Sequence, residues 1–259
     1  MNSLSDNSIV IIGGTSGMGL SATKACVAAG ANVVATGIAA SVESAQAEMG
    51  DDVLVLDSDA TDPTSADSAI ASALDRFGRF DGLYHVAGGS GRQFGDGRLD
   101  AATDDGIEKT LELNLTSVLY SNRAALRVFC EKRWAGAILN LTSILAHSPN
   151  PEHFDTSVYA TAKAGIIGLT KNLAANYAAS NIRVNAIAAG LIDTPMSARA
   201  QEQDEIMDFI AKKQPLDGGR IGRPDDLDAL VVYLLSDESR FVTGQVINVD
   251  GGWSVSDGC

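Results

Sequence analysis

A tyrosine and a lysine stand four residues apart in the stretch Tyr159-Ala-Thr-Ala-Lys163. On a helix this spacing places both side chains on one face, about one turn apart. A free phenol titrates at about pH 10 and exchanges protons poorly at neutral pH, so it needs a nearby cation to stabilise its ionised form. We therefore expect Tyr159 to be a general acid and base for an alcohol or carbonyl oxygen, with its pKa depressed by Lys163.

Two further polar residues precede this pair. Ser143 ends the apolar segment 136–143 and can hydrogen-bond the oxygen that Tyr159 serves. Asn114 lies in a helical pattern, LELNLTS. Each feature has a structural alternative, because a YxxxK pair arises by chance on many helices, Ser143 can simply end a strand, and Asn114 can cap a kink. Their common order after a glycine-rich turn favours a catalytic group.

The glycine-rich turn Gly13-x-x-x-Gly17-x-Gly19 follows a short apolar segment and precedes a helical pattern. Glycines at such a turn allow backbone N–H groups and the helix N-terminus to face a pyrophosphate. The alternative is a strand-to-helix connection without a ligand, but the strand before it and the helix after it favour a dinucleotide site. A second glycine-rich stretch, residues 88–97, also follows an apolar segment.

Apolar segments alternate with helical patterns along the chain, which predicts βαβ units and a parallel sheet. The predicted strands are residues 8–12, 32–36, 52–56, 81–87, 136–141, 182–187 and 245–250. The predicted helices are residues 20–29, 41–49, 65–77, a long stretch after the fourth strand, 157–179, 197–213 and one that begins near Pro224. No linker divides the chain, so we predict one doubly wound, mostly parallel α/β sheet of about seven strands, Rossmann-type, in a single domain spanning residues 1–259.

Charge and cysteine content restrict the classes of partner. Nineteen Lys and Arg against 33 Asp and Glu give a net charge of −14, which disfavours nucleic acid and anionic membrane surfaces. The three cysteines, Cys26, Cys130 and Cys259, are far apart and predict neither a disulfide framework nor a metal site. The N-terminal region shows no signal or membrane segment, so we expect a cytoplasmic protein without a membrane partner.

These motifs together resemble the short-chain dehydrogenase/reductase family over nearly the whole chain. HVAG at 85–88 stands where the family has NNAG, NAIAAGLIDT at 185–194 resembles NxxxPGxxxT, and residues 220–252 resemble the family's closing helix and strand. The chain departs from the family at Ile12, at His85 and Val86, and at Ala189, which replace a threonine, two asparagines and a proline. We interpret His85 as a packed, hydrogen-bonded side chain and not as a base.

The resemblance implies hydride transfer between a nicotinamide dinucleotide and a small ketone or secondary alcohol. It implies that Tyr159 is the acid/base, Ser143 stabilises the substrate oxygen, and Asn114 holds a water beside Lys163, which also binds the nicotinamide ribose. It further implies that Thr194 binds the carboxamide, and that Asp59 and Asp62 flank the adenine ring. The implied cofactor-binding residues are Gly13, Thr15, Ser16, Gly17, Met18, Gly19, Gly37, Asp59, Ala60, Ala87, Gly88, Tyr159, Lys163, Ile192 and Thr194, with no metal ligand. A non-catalytic dinucleotide sensor or scaffold on the same fold is the alternative.

The usual markers of cofactor choice are absent. Gly37 stands where an Asp would bind the ribose hydroxyls of NAD, Ile38 stands where an Arg would bind the 2′-phosphate of NADP, and Ser16 is not basic. From Cys26 to Asp75 there is no Lys or Arg but there are nine acidic residues. This local charge would oppose a phosphate, so we expect NAD(P) with a preference for NAD.

Two segments are candidates for the substrate side. We expect residues 195–214 to form a lid, because this segment combines a charged face with Ile206, Met207, Phe209 and Ile210. The alternative is a surface helix whose apolar side packs permanently on the body of the protein. Arg92 and Arg98 can meet an anionic substrate group or remain solvated.

The predicted helix 157–179 is apolar nearly all round, which predicts a covering on both sides. One apolar stripe contains Val158, Ala162, Ile166, Leu169 and Leu173, and much of the remaining surface is small or apolar, at Ala160, Ala164, Ile167, Ala174 and Ala178. We therefore expect a homo-oligomer, a dimer or a tetramer, in line with the family.

Overall fold

The computed structural model describes residues 3–258, within which seven strands form one sheet. The strands are β1 (Ser8–Ile12), β2 (Asn32–Gly37), β3 (Val53–Asp57), β4 (Gly82–His85), β5 (Gly136–Ser143), β6 (Ile182–Ala189) and β7 (Val246–Val249). Their order is β3-β2-β1-β4-β5-β6-β7, and every neighbouring pair is parallel. The predicted doubly wound α/β fold is confirmed, and the sheet is parallel throughout.

Helices cover both faces of the sheet. In the described part of the chain they are α1 (Gly17–Ala28), α2 (Ala39–Met49), α3 (Ser65–Phe77), α4 (Asp104–Leu111), α5 (Ser117–Lys132), α6 (Ser157–Tyr177), α7 (Ala198–Gln201), α8 (Asp204–Lys213) and α9 (Asp228–Leu235). The helix predicted over 197–213 is divided into α7 and α8, because Gln203 between them has extended backbone. The helix near Pro224 begins as a 3₁₀ turn, Pro224–Leu227, before α9.

Alternate side chains of each strand enter opposite layers of the core, since successive strand residues face opposite sides. Ile9 and Ile11 of β1 pack with residues of α1 and α9, whereas Val10 and Ile12 pack with residues of α3 and α5. All five residues of β1 are buried, as expected for a parallel strand that helices cover on both faces. The carboxyl ends of the strands therefore remain as the open edge at which loops can form a site.

The order of the strands reverses at β1: β2 and β3 lie on one side of it, and β4 to β7 lie on the other. The amides of Val86 and Ala87 both donate to the carbonyl of Ile12, at 3.0 and 2.9 Å, and thereby hold the loop after β4 against the first glycine-rich turn. Gly13 has a φ of +88°, and a Cβ there would lie 2.7 Å from the Ala87 nitrogen. A side chain at position 13 would force the two loops apart.

The helix α6 is buried along one side and exposed on another. Val158, Ala162 and Ile166 of the predicted apolar stripe are buried. Ala174, which is not part of that stripe, is also buried and belongs to the core cluster that includes residues of β5 and β6. The other side is exposed at Ala164.

Cys26 is a buried free thiol and Cys130 an exposed one, while Cys259 lies outside the described residues. Across residues 3–258, the helices are too short or too polar for any of them to cross a membrane.

Candidate active site

A cavity of about 500 Å³ lies at the carboxyl ends of the strands. Both glycine-rich stretches contribute to its wall, as do the loops that follow β5 and β6. The predicted residues in this wall are Gly13, Thr15, Ser16, Gly17, Met18, Gly19, Gly37, Asp59, Ala60, Ala87, Gly88, Ser143, Tyr159, Lys163, Ile192 and Thr194. The fold thus brings together residues that the sequence separates by more than a hundred positions.

The first glycine-rich turn shapes one end of this cavity around the N-terminus of α1. A Cβ on Gly19 would lie 1.9 Å from the carbonyl oxygen of Gly13, so the turn can close only with glycine at that position. Ser16 makes no side-chain cap to α1, and no acidic residue lies in the first turn of this helix. The early amides of a helix lack intrahelical partners and attract anions. This end of the cavity therefore fits the diphosphate of a dinucleotide.

Beyond the turn, the wall at the end of β2 is formed by side-chain hydroxyls. Thr15 and Ser41 are hydrogen-bonded through their hydroxyl oxygens at 2.7 Å. A Cβ on Gly37 would lie 1.7 Å from Thr15 Oγ1, so Thr15 fills the space that a side chain at position 37 would need. Asp59 lines the cavity, whereas Asp62 does not and instead accepts hydrogen bonds from Thr64 at the start of α3.

At the opposite end, β5 and α6 bring three predicted catalytic side chains together. Ser143 ends β5 and is hydrogen-bonded to Tyr159, which lies in the first turn of α6. One turn later, the Lys163 ammonium lies 5.6 Å from the centroid of the Tyr159 ring. Lys163 is 3% exposed, and its Nζ donates to the carbonyl of Leu141 at 3.1 Å. A substrate oxygen beside Tyr159 would therefore meet two hydroxyl groups with a cation next to them.

Burial is the main cause of the pKa shifts of Tyr159 and Lys163. It raises the pKa of the Tyr159 phenol, and the hydrogen bond from Ser143 acts in the opposite direction. Our expectation of a depressed tyrosine pKa is therefore not met in this structure, because loss of solvent outweighs the stabilisation of phenolate. Burial also lowers the pKa of Lys163 to about 8. At neutral pH the site presents a protonated phenol and an ammonium, which suits donation of a proton to a carbonyl oxygen.

Known proteins resemble the chain over almost its full length. The family described as enoyl-(acyl carrier protein) reductase matches residues 13–254. Similar proteins include 2-keto-3-deoxy-L-fuconate dehydrogenase of Xanthomonas campestris pv. campestris, 34% identical over 92% of this chain and 77% of that protein. A 3-oxoacyl-(acyl-carrier-protein) reductase of Thermotoga maritima is 32% identical over 94% of this chain and 96% of that protein. A solved short-chain type dehydrogenase/reductase from Mycobacterium ulcerans superposes with a TM-score of 0.87 at 30% identity, covering 98% of this chain and 91% of that one.

The chain belongs to the short-chain dehydrogenase/reductase family. It is a nicotinamide-dependent oxidoreductase that acts on CH–OH or C=O groups. The resemblance inferred from the motifs is thus confirmed.

In this dehydrogenase Asn114 lies behind the cavity wall, in a π-helical segment (Glu112–Thr116) between α4 and α5. Its amide nitrogen donates to the carbonyls of Gly89 and Thr110 at 3.0 and 3.1 Å, and its oxygen accepts the Gly89 amide at 3.1 Å. A Cβ on Gly88 would lie 2.9 Å from Asn114 Oδ1 and 3.3 Å from Lys163 Nζ. Such π-helical turns are frequent at functional sites. The segment also brings Asn114 close to Lys163.

His85, which replaces the first asparagine of the family motif, is buried behind the dehydrogenase's cavity. Its Nδ1 pairs with the Ser121 hydroxyl at 2.7 Å and its Nε2 with the Ser117 hydroxyl at 3.4 Å. Burial, with a smaller contribution from the charge of Lys163, lowers the pKa of His85 to about 3. The ring is therefore neutral and hydrogen-bonded, as the sequence interpretation proposed.

Sequence reasoning missed a buried carboxylate next to the catalytic helix of the dehydrogenase. Asp96 accepts the backbone amides of Val158 and Tyr159 at 3.0 and 2.9 Å. The next residue, Gly97, accepts the amide of Ser157 at 3.0 Å through its carbonyl. The second glycine-rich stretch therefore holds the N-terminus of α6. A single acidic residue in that stretch gave no sequence signal, since its partners are more than 60 residues away.

An apolar cluster around Trp253, a residue that the sequence analysis did not single out, lies at the substrate end of the dehydrogenase cavity. Trp253 is buried, its indole nitrogen donates to the Ser148 carbonyl at 3.1 Å, and its ring meets Phe154 and Phe209 edge-on. Ile206 and Ile210 of the predicted lid pack into the same cluster. In this structure the apolar face of α8 is packed on the body.

Proposed function

We propose that the protein interconverts a small ketone and its secondary alcohol. The observation that carries this proposal is the grouping of Ser143, Tyr159 and Lys163 at the substrate end of the cavity. A nicotinamide cofactor bound in the same cavity would supply or take up the hydride next to these residues. In reduction Tyr159 donates its proton to the carbonyl oxygen, and in oxidation it accepts the proton of the alcohol. The Ser143 hydroxyl donates to the same oxygen.

Other side chains prepare this step. Lys163 would hold the ribose hydroxyls, Thr194 would hold the carboxamide, and Asn114 would hold a water in the path that returns a proton to Tyr159. The location of Thr194 supports its role, since it lines the cavity next to the first glycine-rich turn, where a Cβ on Gly17 would lie 3.1 Å from the Thr194 methyl group. We further propose that residues 1–259 act as a single catalytic domain, and that residues 195–214 act as a lid.

The cofactor we propose is NAD. Lys24, the lysine nearest in sequence to the acidic stretch, is already paired with Glu48. At the adenine end the wall contains Asp59 and the hydroxyls of Thr15 and Ser41. Hydroxyls suit a ribose, whereas phosphate recognition ordinarily relies on charge-assisted bonds.

Relatives bearing similar sequences act, by their names, on a sugar acid, on 3β-hydroxysteroids and on cis-4-hydroxycyclohexanecarboxylate. We infer a small-molecule substrate, a cytoplasmic location, and assembly as a homo-oligomer, without a nucleic-acid or membrane partner.

The test is a panel of ketones with reduced cofactor and secondary alcohols with oxidised cofactor, followed by nicotinamide absorbance. Turnover of any member supports the proposal. Cofactor binding without turnover across a broad panel would favour the non-catalytic sensor. Measuring cofactor binding in the same preparations separates that outcome from inactive protein.

A further inference from the structure

Two arginines from different elements come together at the substrate end of the cavity. Arg92 lies in a 3₁₀ turn of the second glycine-rich stretch, Gly91–Phe94, and Arg199 lies on α7. Both line the cavity that contains Ser143 and Tyr159. Their Nη2 atoms donate to one acceptor, the carbonyl oxygen of His153, at 3.4 and 3.2 Å. The fold thus brings two guanidinium groups to one point.

Neither guanidinium has a carboxylate partner among the ion pairs of residues 3–258. Arg98, the other cation expected near the substrate, is paired with Asp100 at 3.0 Å and does not line the cavity. The buried carboxylate of Asp96 is occupied by two amides of α6. Arg92 and Arg199 are therefore available to a ligand.

The charge in the cavity is opposite to that of the whole chain. The chain has a net charge of −14, yet the charged side chains in the cavity wall are Arg92, Lys163, Arg199 and one acid, Asp59. Asp59 follows β3, at the adenine end. Burial lowers the pKa of Arg92 and the charge of Arg199 lowers it further, while Asp155 and Asp96 act in the opposite direction. The mutual repulsion of the two arginines would be relieved by a bound anion.

We infer that the substrate carries an anionic oxygen group, a carboxylate or a phosphate, which Arg92 and Arg199 bind at the end remote from the reacting carbon. Guanidinium groups donate paired hydrogen bonds to such groups, and these are stronger than bonds to a neutral carbonyl such as that of His153. Leu145, Phe154 and Trp253 in the same wall would pack against the apolar body of the substrate. The inference rests on the proposed function and narrows its substrate class.

Two matched pairs of ketones test this inference. One pair is 4-oxocyclohexanecarboxylate and its methyl ester, and the other is dihydroxyacetone phosphate and dihydroxyacetone. We expect the wild type to prefer the charged member of one of the two pairs. A preference within the first pair indicates a carboxylate, and a preference within the second indicates a phosphate. Arg92→Gln and Arg199→Gln should each lower the charged-to-neutral ratio of kcat/KM by about tenfold or more, mainly through KM. Arg98→Gln is the matched control and should leave the ratio unchanged.

Equal use of charged and neutral members by the wild type, or an unchanged ratio in the double Arg92→Gln, Arg199→Gln variant, would overturn the inference. So would arginine dependence confined to oxoacyl groups on an acidic carrier protein and absent for the same groups on N-acetylcysteamine. If every ketone is inert, the proposed function fails, and calorimetry with cyclohexanecarboxylate and inorganic phosphate tests the anion site alone. Binding that both arginine variants lose supports the site, and no binding to the wild type refutes it.

Discussion

The carboxylate of Asp96 accepts the backbone amide of Tyr159 at 2.9 Å, although the two residues are 63 positions apart. Its other oxygen accepts the amide of Val158 at 3.0 Å. Both amides belong to the first turn of α6, where a helix has no internal acceptors and where a negative charge is favourable. A loop side chain thus fixes the start of the helix that carries Tyr159 and Lys163.

Asp96→Ala is expected to lower kcat by about 10-fold to 100-fold while the KM for cofactor changes little, because a small displacement of a catalytic group costs about that much. Asp96→Asn keeps one acceptor oxygen and should recover part of the loss. Steady-state kinetics of both variants, with Asp100→Asn as an exposed control, measure the effect. A loss of thermal stability with kcat intact would show that Asp96 is merely a helix cap.

Tyr159→Phe removes the phenolic proton and little of the cavity wall. We expect turnover to fall by about 100-fold to 10,000-fold while cofactor affinity stays close to that of the wild type. Lys163→Ala should reduce both turnover and cofactor affinity. Tyr177→Phe, at the other end of α6, is the control. A Tyr159→Phe variant that keeps more than about a tenth of the wild-type rate on the chemical step would refute the assignment.

Lys163 should make stability depend on pH. Burial lowers its pKa from the ordinary 10.5 to about 8, so between these values the unfolded chain holds a proton that the folded chain has lost. Stability contributed by this group therefore rises with pH over that interval, and the cost of burying the cation is fully present below pH 8. The change in Tm that Lys163→Met causes relative to wild type should therefore be more positive at pH 7 than at pH 10.5.

Thermal unfolding of wild type and Lys163→Met across this range measures the difference. Lys171→Met, which removes an exposed lysine of the same helix, controls for loss of a charge. A Lys163→Met difference that stays constant, or grows, as pH rises would show that the lysine is not destabilised by burial.

Assembly can be tested at Gly168, on the exposed side of α6, where an added Cβ would meet nothing within 4 Å in the chain itself. We expect light scattering to give an oligomer at micromolar concentration, and Gly168→Arg to weaken it without unfolding the chain. Ser68→Arg, at an exposed position of α3, is the control. A monomer mass for the wild type would refute the proposed homo-oligomer.

Local patterns were sufficient to predict the parallel sheet and most of the predicted site residues that line the cavity. The number of strands and their parallel pairing follow from alternating elements, and residues such as Gly19 and Lys163 lie in motifs whose spacing is fixed by a turn or a helix. Residues that act across the fold had no such pattern. Arg199 and Trp253 both line the cavity, and their neighbours depend on how α7, α8 and the C-terminal segment pack.

The direction in which the Tyr159 pKa is shifted could not be predicted from the local sequence either. The spacing of Tyr159 and Lys163 shows that a cation is near, but burial depends on the loops that cover both residues. Here burial is the largest cause of the shift in each case. A sequence pattern therefore predicts which residues lie next to a titratable side chain more readily than it predicts the pKa of that side chain.

Thr15 occupies the space that an acidic side chain at position 37 would need, since its Oγ1 would lie 1.7 Å from a Cβ there. Thr15 is itself held by the hydroxyl of Ser41 at 2.7 Å. An aspartate introduced alone should displace Thr15, so Gly37→Asp is expected to lose NAD affinity and stability. Thr15→Gly combined with Gly37→Asp removes the clash and should restore NAD binding, because a carboxylate at this strand end can bond the ribose hydroxyls.

The wild type should already use NAD in preference to NADP, and the double variant should widen that preference because its added carboxylate repels a 2′-phosphate. The measurement is kcat/KM for both cofactors with one good substrate at moderate salt. Thr15→Gly alone is the control, since it removes the hydroxyl without adding a charge, and a double-variant cycle isolates the coupling between positions 15 and 37. A wild-type preference for NADPH above about tenfold, or about 1.4 kcal/mol, would show that local charge does not decide the cofactor. Additive effects of the two substitutions would show that Thr15 does not restrict position 37.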